Sequence, residues 1–216
     1  MKVELFWSFR SPYSYLATRR YVELQGELDF PIRIRPVYPI AVRDPAFFER
    51  VDPMWVAYLM NDTKRVAEYL DIPFRWPVPD PIVMEMETRT ISPDQPYIHR
   101  ITRLGVAAAR RGRGLAFIDE VSRTIWAGDV DNWHEGTHLA EAAGRAGLDL
   151  AELDQEITDD QTGIDAEIDA NHQALEQSGH WGVPTLAVEG EAFFGQDRVD
   201  IARWRILRGT GDTQTA

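Results

Sequence analysis

A chain of 216 residues that is 44% apolar and 11% aromatic can bury a substantial core, which excludes a disordered or collagen-like polymer. A formal charge of −12, with no Lys/Arg cluster beside an aromatic stripe, leaves no basic face for phosphate and excludes nucleic acid as a partner. Cysteine is absent, so disulfides, thiolate metal sites and a thiol nucleophile of the protein's own are excluded, and any sulfur chemistry requires a borrowed thiol.

The chain begins without a charged-then-apolar signal pattern, and no run approaches the roughly 18 apolar residues of a membrane span, so a cytoplasmic protein with no membrane partner is expected. Residues 2–7 read as a strand. Ser11-Pro12-Tyr13-Ser14 then opens a helix. From Tyr13, apolar residues recur at Leu16, Ala17, Tyr21 and Leu24, with Arg19, Arg20, Glu23 and Gln25 opposite. Ser11 suits the N-cap, Pro12 the first helical position, and Gly26 the end. A hydroxyl at such a position is first of all a cap. It also sits where unpaired amides and the positive end of the helix dipole meet, a setting that stabilises an anion such as a thiolate.

Residues 30–37 alternate through Ile32, Ile34 and Val37 between arginines as a second strand, giving a βαβ unit with parallel strands, and Pro36 and Pro39 stop the sheet. Residues 40–76 read as helix and loop, with a helix over 54–70. The proline-rich stretch 72–81 forms a stiff aromatic cover, and 84–96 has no regular pattern. Four helical stretches follow at 97–111, 117–126, 133–146 and 150–178, the last broken near Gly163, with Asp149 and Glu152 as a capping box. Strands return over residues 185–188 and 192–194, joined by Glu189-Gly190-Glu191, and residues 197–207 form a last helix. No internal repeat is present, and the polar tail 209–216 is expected to be disordered.

One motif inside the helical block stands apart. His134-Glu135-Gly136-Thr137-His138 spells H-E-x-x-H, which on a helix places two imidazoles one turn apart for zinc and makes a zinc peptidase a remote alternative. Asn132 and Gly136 place it at a frayed helix start, and no third ligand stands out. His99, His172 and His180 read as surface or satisfied residues.

The order βαβ, helical insertion, ββα resembles the thioredoxin fold split by a helical domain, as in the DsbA-like superfamily. Ser11-Pro12-Tyr13-Ser14 occupies the place of that superfamily's Cys-Pro-x-Cys, with both sulfurs replaced by oxygen. Gly179-His180-Trp181-Gly182-Val183-Pro184-Thr185 resembles its cis-proline loop, and Phe193-Phe194-Gly195-Gln196-Asp197-Arg198 its hairpin exit. With the supporting stretches Trp126-Ala127-Gly128-Asp129-Val130 and Ala146-Gly147-Leu148-Asp149, the chain resembles the 2-hydroxychromene-2-carboxylate isomerase family, relatives of the kappa-class glutathione transferases.

The resemblance implies an α/β thioredoxin-like domain over 1–40 and 179–208, a helical insertion domain over 41–178, and glutathione as cofactor. It implies that Ser11 is the catalytic residue, hydrogen-bonding the glutathione sulfur and favouring its thiolate. Val183 and Pro184 would pair with the cysteinyl part, across a cis bond that leaves this edge open, while Gln196, Asp197 and Arg198 meet the γ-glutamyl end. Asp197 also reads as a plain N-cap, and Arg198 as a solvated charge or an internal ion pair. The implied reaction is reversible thiolate addition to an activated double bond of a bicyclic aromatic carboxylate from naphthalene-type degradation, in a homodimer. Phe9, Trp76 and Trp181 are available as walls, Arg10, Arg43 or Lys64 as cations, and Trp55 and Tyr58 suit an interface.

The pattern departs from the family in two places. The stretch from Val42 to Arg50 lacks the Asn, followed by prolines, that helps the family bind glutathione, and Arg10 stands beside Ser11 where a small residue is common. The competing reading is a non-catalytic thioredoxin-fold binding or chaperone module, since Ser for Cys also describes a dead oxidoreductase. Glutathione binding separates the two.

Overall fold

A computed structural model describes residues 1–85 and 87–209. Strands β1 (Val3–Trp7) and β2 (Arg33–Pro36) flank helix α1 (Pro12–Gly26) and pair in parallel, Leu5 opposite Ile34. Strands β3 (Thr185–Val188) and β4 (Glu191–Phe194) complete a four-stranded sheet of order β2-β1-β3-β4, with β1 antiparallel to β3 and β3 antiparallel to β4. The mixed α/β thioredoxin-like architecture expected above is the one observed.

Between β2 and β3 lie α2 (Ile40–Arg43), α3 (Phe47–Arg50), α4 (Pro53–Tyr69), α5 (Ile98–Arg110), α6 (Gly114–Trp126), α7 (His138–Arg145), α8 (Leu150–Asp159) and α9 (Gln161–Gln177). A 3₁₀ turn (Gln196–Arg198) leads into α10 (Val199–Arg208). None of the described helices is long and apolar enough to cross a membrane.

Alternation along β1 divides the core, because successive side chains leave a strand on opposite faces. Val3, Leu5 and Trp7 join the large cluster that includes Leu16, Tyr21 and Leu24 of α1 and runs on through the helices. Phe6 faces the other way, against Val37, Ala187 and Leu175. The cover formed by the proline-rich stretch is aromatic: Phe74 stacks on Trp126 at 5.8 Å and Trp76 meets the same ring edge-on at 5.4 Å.

Several expected boundaries move, each for a visible reason. The second strand starts at Arg33 rather than residue 30, because the Gln25 amide takes the preceding backbone: its NH₂ donates to Phe30 O at 2.9 Å and its oxygen accepts from Ile32 N at 2.6 Å. Gly26 is the last residue of α1, and Glu27, in right-handed conformation, closes the helix. The stretch expected as one helix over 133–146 is helical only from His138, because Asn132 and Gly136 take positive φ (53° and 57°) and the Trp133 indole is drawn away to donate to Pro79 O at 2.8 Å. The H-E-x-x-H segment therefore lies in turns up to His138, which opens α7, with the His134 ring 4.4 Å from Tyr97, and does not present two imidazoles one helical turn apart. Among the described residues, no group of three or more His, Cys, Asp or Glu is placed to hold a metal ion.

The break expected near Gly163 falls at Asp160, whose φ of −134° ends α8 and whose carboxylate lies over Gly163, where a Cβ would sit 2.3 Å from it. Asp149 accepts from the amides of Ala151 and Glu152 at the start of α8. The hairpin turn needs only Glu189 and Gly190, both at positive φ (49° and 87°), so Glu191 belongs to β4. Of the expected disordered tail, 210–216 lies outside the described residues.

Trp126 is fully buried and its indole donates to Phe9 O at 3.0 Å, beneath the turn that leads to Ser11. Trp126→Phe removes that donor and some packed volume, and is expected to lower the unfolding free energy in urea by about 2–4 kcal/mol without changing the dependence on urea concentration.

Candidate functional site

The turn between β1 and α1 is closed by Ser11 N–H donating to Ser8 O at 3.2 Å. Ser11 takes the extended conformation of an N-cap (φ −85°, ψ 115°), and its Oγ accepts from Ser14 N at 3.2 Å. The same hydroxyl donates to Val183 O at 3.3 Å, so it joins the start of α1 to the loop before β3. Pro12 has no amide and Tyr15 N already donates to Ser11 O, which leaves Tyr13 N–H as the α1 amide without a partner among the described residues. Ser14, in the place of the superfamily's second sulfur, is fully buried and its Oγ has no hydrogen-bond partner among the described residues.

The loop carrying Val183 is tightly tied. The Val183–Pro184 bond is cis, Gly195 N donates to Pro184 O at 2.9 Å, and Thr185 Oγ1 donates to Gly182 O at 2.7 Å. Gly182 N donates to His180 Nδ1 at 2.8 Å, while the His180 ring stacks on Phe194 at 3.8 Å. Burial pushes the His180 pKa below its ordinary value, favouring the neutral ring whose Nδ1 accepts this bond. A Cβ on Gly182 would lie 2.5 Å from the Phe194 ring, so the stack requires glycine there. Val183 N–H, like Tyr13 N–H, has no partner among the described residues.

Ser11, Tyr13 and Val183 open on a cavity of about 290 Å³ walled by Phe47, Phe48, Trp55, Tyr58, Trp181 and Phe194. Two arginines reach it, with different electrostatic status. Arg10 is neutralised in a two-pronged pair with Asp80 (3.2 and 3.0 Å), its guanidinium 5.9 Å from the Phe48 ring and 5.5 Å from the Trp76 ring. Arg43 donates to two carbonyls, Tyr38 O at 2.9 Å and Trp181 O at 2.8 Å, and has no carboxylate within ion-pair distance among the described residues. Burial pulls its pKa below the ordinary value, with Glu176 acting the other way, yet a guanidinium stays charged at neutral pH.

The structure thus brings Ser11, Val183, Trp181, Arg10 and Arg43 to one cavity, while Pro184, the next residue after Val183, is buried and not part of its lining. Gln196, Asp197 and Arg198 do not line it. Asp197 Oδ2 pairs with Arg198 Nη1 at 3.0 Å on the surface, and Gln196 O accepts from Arg20 at 2.7 Å. Asp197 is no N-cap: it lies inside the 3₁₀ turn, whose preceding residue Gly195 makes no side-chain cap. Phe9 is fully buried edge-on to Trp7 and forms core rather than wall. Lys64 and Trp76 line a separate groove with Phe74 and Arg75. Trp55 and Tyr58, read above as interface aromatics, face the cavity, as do Phe47, Phe48 and Phe194, which sequence reasoning passed over. The available signal was the density of aromatics between 47 and 58.

A model of the DSBA-like thioredoxin domain matches residues 2–206. A 2-hydroxychromene-2-carboxylate isomerase from Pseudomonas sp. (strain C18) is 24% identical over 201 residues, covering 91% of this chain and 86% of the relative. The solved structure of a 2-hydroxychromene-2-carboxylate isomerase superposes with a TM-score of 0.68 at 20% identity, over 96% of this chain and 95% of that one. A cytosolic disulfide reductase from Pseudomonas aeruginosa with GSH superposes with a TM-score of 0.57 at 15% identity, over 96% of this chain and 98% of that one.

Behind Arg43, Tyr38 N donates to His172 Nε2 at 2.8 Å, and burial together with the Arg43 charge lowers the His172 pKa from its ordinary 6.5 to about 4. The unfolded chain takes up this proton first as pH falls. Unfolding free energy is therefore expected to fall from pH 6.5 toward about 4. In His172→Gln, where the amide oxygen accepts the Tyr38 bond without titrating, thermal unfolding followed across that interval should show a shallower loss.

Proposed function

The chain belongs to the DSBA-like thioredoxin domain family, and on that premise we propose that it is a glutathione-dependent enzyme of the 2-hydroxychromene-2-carboxylate isomerase type, or a kappa-like glutathione transferase, acting on an aromatic carboxylate. The observation that carries this reading is the Ser11 hydroxyl at the positive end of α1, on the edge of an aromatic cavity that also holds Arg43, in a chain with no cysteine. The names of the similar isomerases and the GSH in the disulfide reductase structure support it.

The residues present fit glutathione at its thiol end. Tyr13 N–H and Val183 N–H have no partners among the described residues and belong to residues that line the cavity with Ser11, a donor set suited to a thiolate and an extended peptide backbone. Bound there, glutathione supplies the thiolate that adds reversibly to an activated double bond. Ser11 turns its proton from Val183 O to the sulfur, exchanging a neutral hydrogen bond of 3.3 Å for a charge-assisted one. A hydrogen bond to a charged group is worth about 1.5–3 kcal/mol, and the helix terminus adds about 0.3–1 kcal/mol, together opposing the desolvation of a thiolate among aromatic rings.

Arg43 takes the substrate carboxylate, since Arg10 is already neutralised by Asp80. Gln196, Asp197 and Arg198 meet the γ-glutamyl end, with Asp197 Oδ2 committed to Arg198 and Oδ1 left to receive the ammonium. Where the resembling family carries an Asn, Phe47 and Phe48 offer aromatic surface instead, shifting affinity from polar contacts to ring burial. The reading includes a division into a thioredoxin-like domain (1–40 and 179–208) and a helical insertion (41–178), a homodimer, and a cytoplasmic location.

Calorimetric titration of glutathione, with the bound thiol followed by its thiolate absorbance, tests the proposal. Wild type is expected to bind and to lower the thiol pKa. In Ser11→Ala that pKa should rise by about 1–2 units, at a cost of about 1 kcal/mol in stability from the lost cap. No binding at millimolar glutathione would sink the cofactor assignment and favour a non-catalytic module.

A further inference from the structure

Helix α4 is lightly held. Of its 17 residues only Thr63 and Ala67, both in its second half, are buried, and Met54 is 76% exposed. The first half nevertheless supplies Trp55, Tyr58 and Leu59 to the cavity. An aromatic pair in that half and a hydrogen bond just beyond it tie α4 to α3 and α1. The Trp55 ring meets Phe47 edge-on at 6.0 Å, and the Tyr13 phenol donates to Asp62 Oδ2 at 2.6 Å.

Among the described residues, the Tyr13–Asp62 bond is the one hydrogen bond from an α4 side chain to another element, and its length and ionised acceptor mark it as charge-assisted. Asp62 gives its other oxygen to Arg65 at 3.1 Å, and the Arg65 guanidinium lies 5.4 Å from the Tyr58 ring. A connected path therefore runs from the first turn of α1, two residues beyond Ser11, through Asp62 and Arg65 to a ring that walls the cavity.

We infer that Tyr13 and Asp62 are positioning residues, a latch that sets the aromatic wall of α4 over Ser11 and so fixes affinity for the substrate's ring. The inference rests on the reading of this cavity as the aromatic site. Breaking the latch frees the first half of α4 while leaving the Ser11 cap and the Val183 loop untouched. The consequence falls on aromatic binding, and on KM rather than kcat, because the thiol end of the site does not depend on α4.

The test uses the full ligand-free chain as wild type, Tyr13→Phe, Asp62→Leu, Asp62→Asn and the Y13F/D62L double variant. By hydrogen exchange, α4 amides over 54–62 should exchange about tenfold faster in Y13F and D62L, with α1 and the sheet unchanged. Asp62→Asn keeps an oxygen to accept the phenol and should stay near wild type, while the double variant should be no worse than either single one. Titrated separately, 2-naphthoate should bind about tenfold more weakly to Y13F and D62L than to wild type, while glutathione affinity, compared between wild type and D62L, should be unchanged. Unchanged α4 exchange in Y13F and D62L, Asn as damaging as Leu at 62, or equal loss of glutathione and naphthoate affinity in D62L would each overturn the latch. A wild type that binds no glutathione would overturn the proposed cofactor instead, while the latch is still read in the ligand-free exchange.

Discussion

The hydrogen bond from Ser11 to Val183 joins segments 172 residues apart, and the sheet order makes it possible. Because β1 runs antiparallel to β3 with Phe6 opposite Thr185, the end of one strand and the start of the other share one edge of the sheet. The turn into α1 and the loop before β3 therefore emerge together. A slip of one residue in this register would turn Val3, Leu5 and Trp7 away from the main core, so burial enforces the pairing that brings Ser11 to Val183. Two buried indoles hold the turn from below: Trp7 donates to Ser14 O and Thr18 Oγ1, and Trp126 to Phe9 O. The site is positioned by buried core residues that do not line the cavity.

Charge within the cavity is set by which arginine is already paired. Arg10 lies between Phe48 and Trp76 and is neutralised by Asp80, which makes it part of the scaffold. Arg43 is fixed by carbonyl dipoles, which orient a guanidinium without cancelling its charge. In a protein of net charge −12, this places a positive centre beside aromatic walls, where reduced water contact strengthens its attraction for an anion. The same walls raise the cost of a thiolate, so a local donor such as Ser11 is needed in the proposed chemistry.

Much of the fold was legible because its determinants are local. The period of α1, the cap at Ser11, the proline at its first position and the apolar runs of β1 and β3 lie within a few residues of one another. What was not legible depends on partners distant in sequence or on backbone angles that residue identity does not reveal. The Gln25 amide shortens β2 by taking its neighbours' backbone groups, and positive φ at Asn132 and Gly136 unwinds the H-E-x-x-H segment. At the site, Ser11 and Val183 were named from motifs. The wall was not, because Phe47 and Trp55 meet only once α3 and α4 pack, and nothing in their spacing separates a cavity wall from an interface.

The two serines that replace the superfamily's sulfurs have opposite fates. Ser11 Oγ makes two hydrogen bonds and borders the cavity, whereas Ser14 Oγ is sealed from solvent with no partner among the described residues. Dithiol exchange needs two sulfurs that alternate between forming and breaking a bond, the second one attacking the first. Here the second position offers only a buried hydroxyl, which cannot resolve a mixed disulfide. In the proposed reading, the Ser11 hydroxyl toward the cavity holds one external sulfur and releases it unchanged. That asymmetry is why the proposed chemistry is reversible addition of a borrowed thiolate rather than oxidation and reduction.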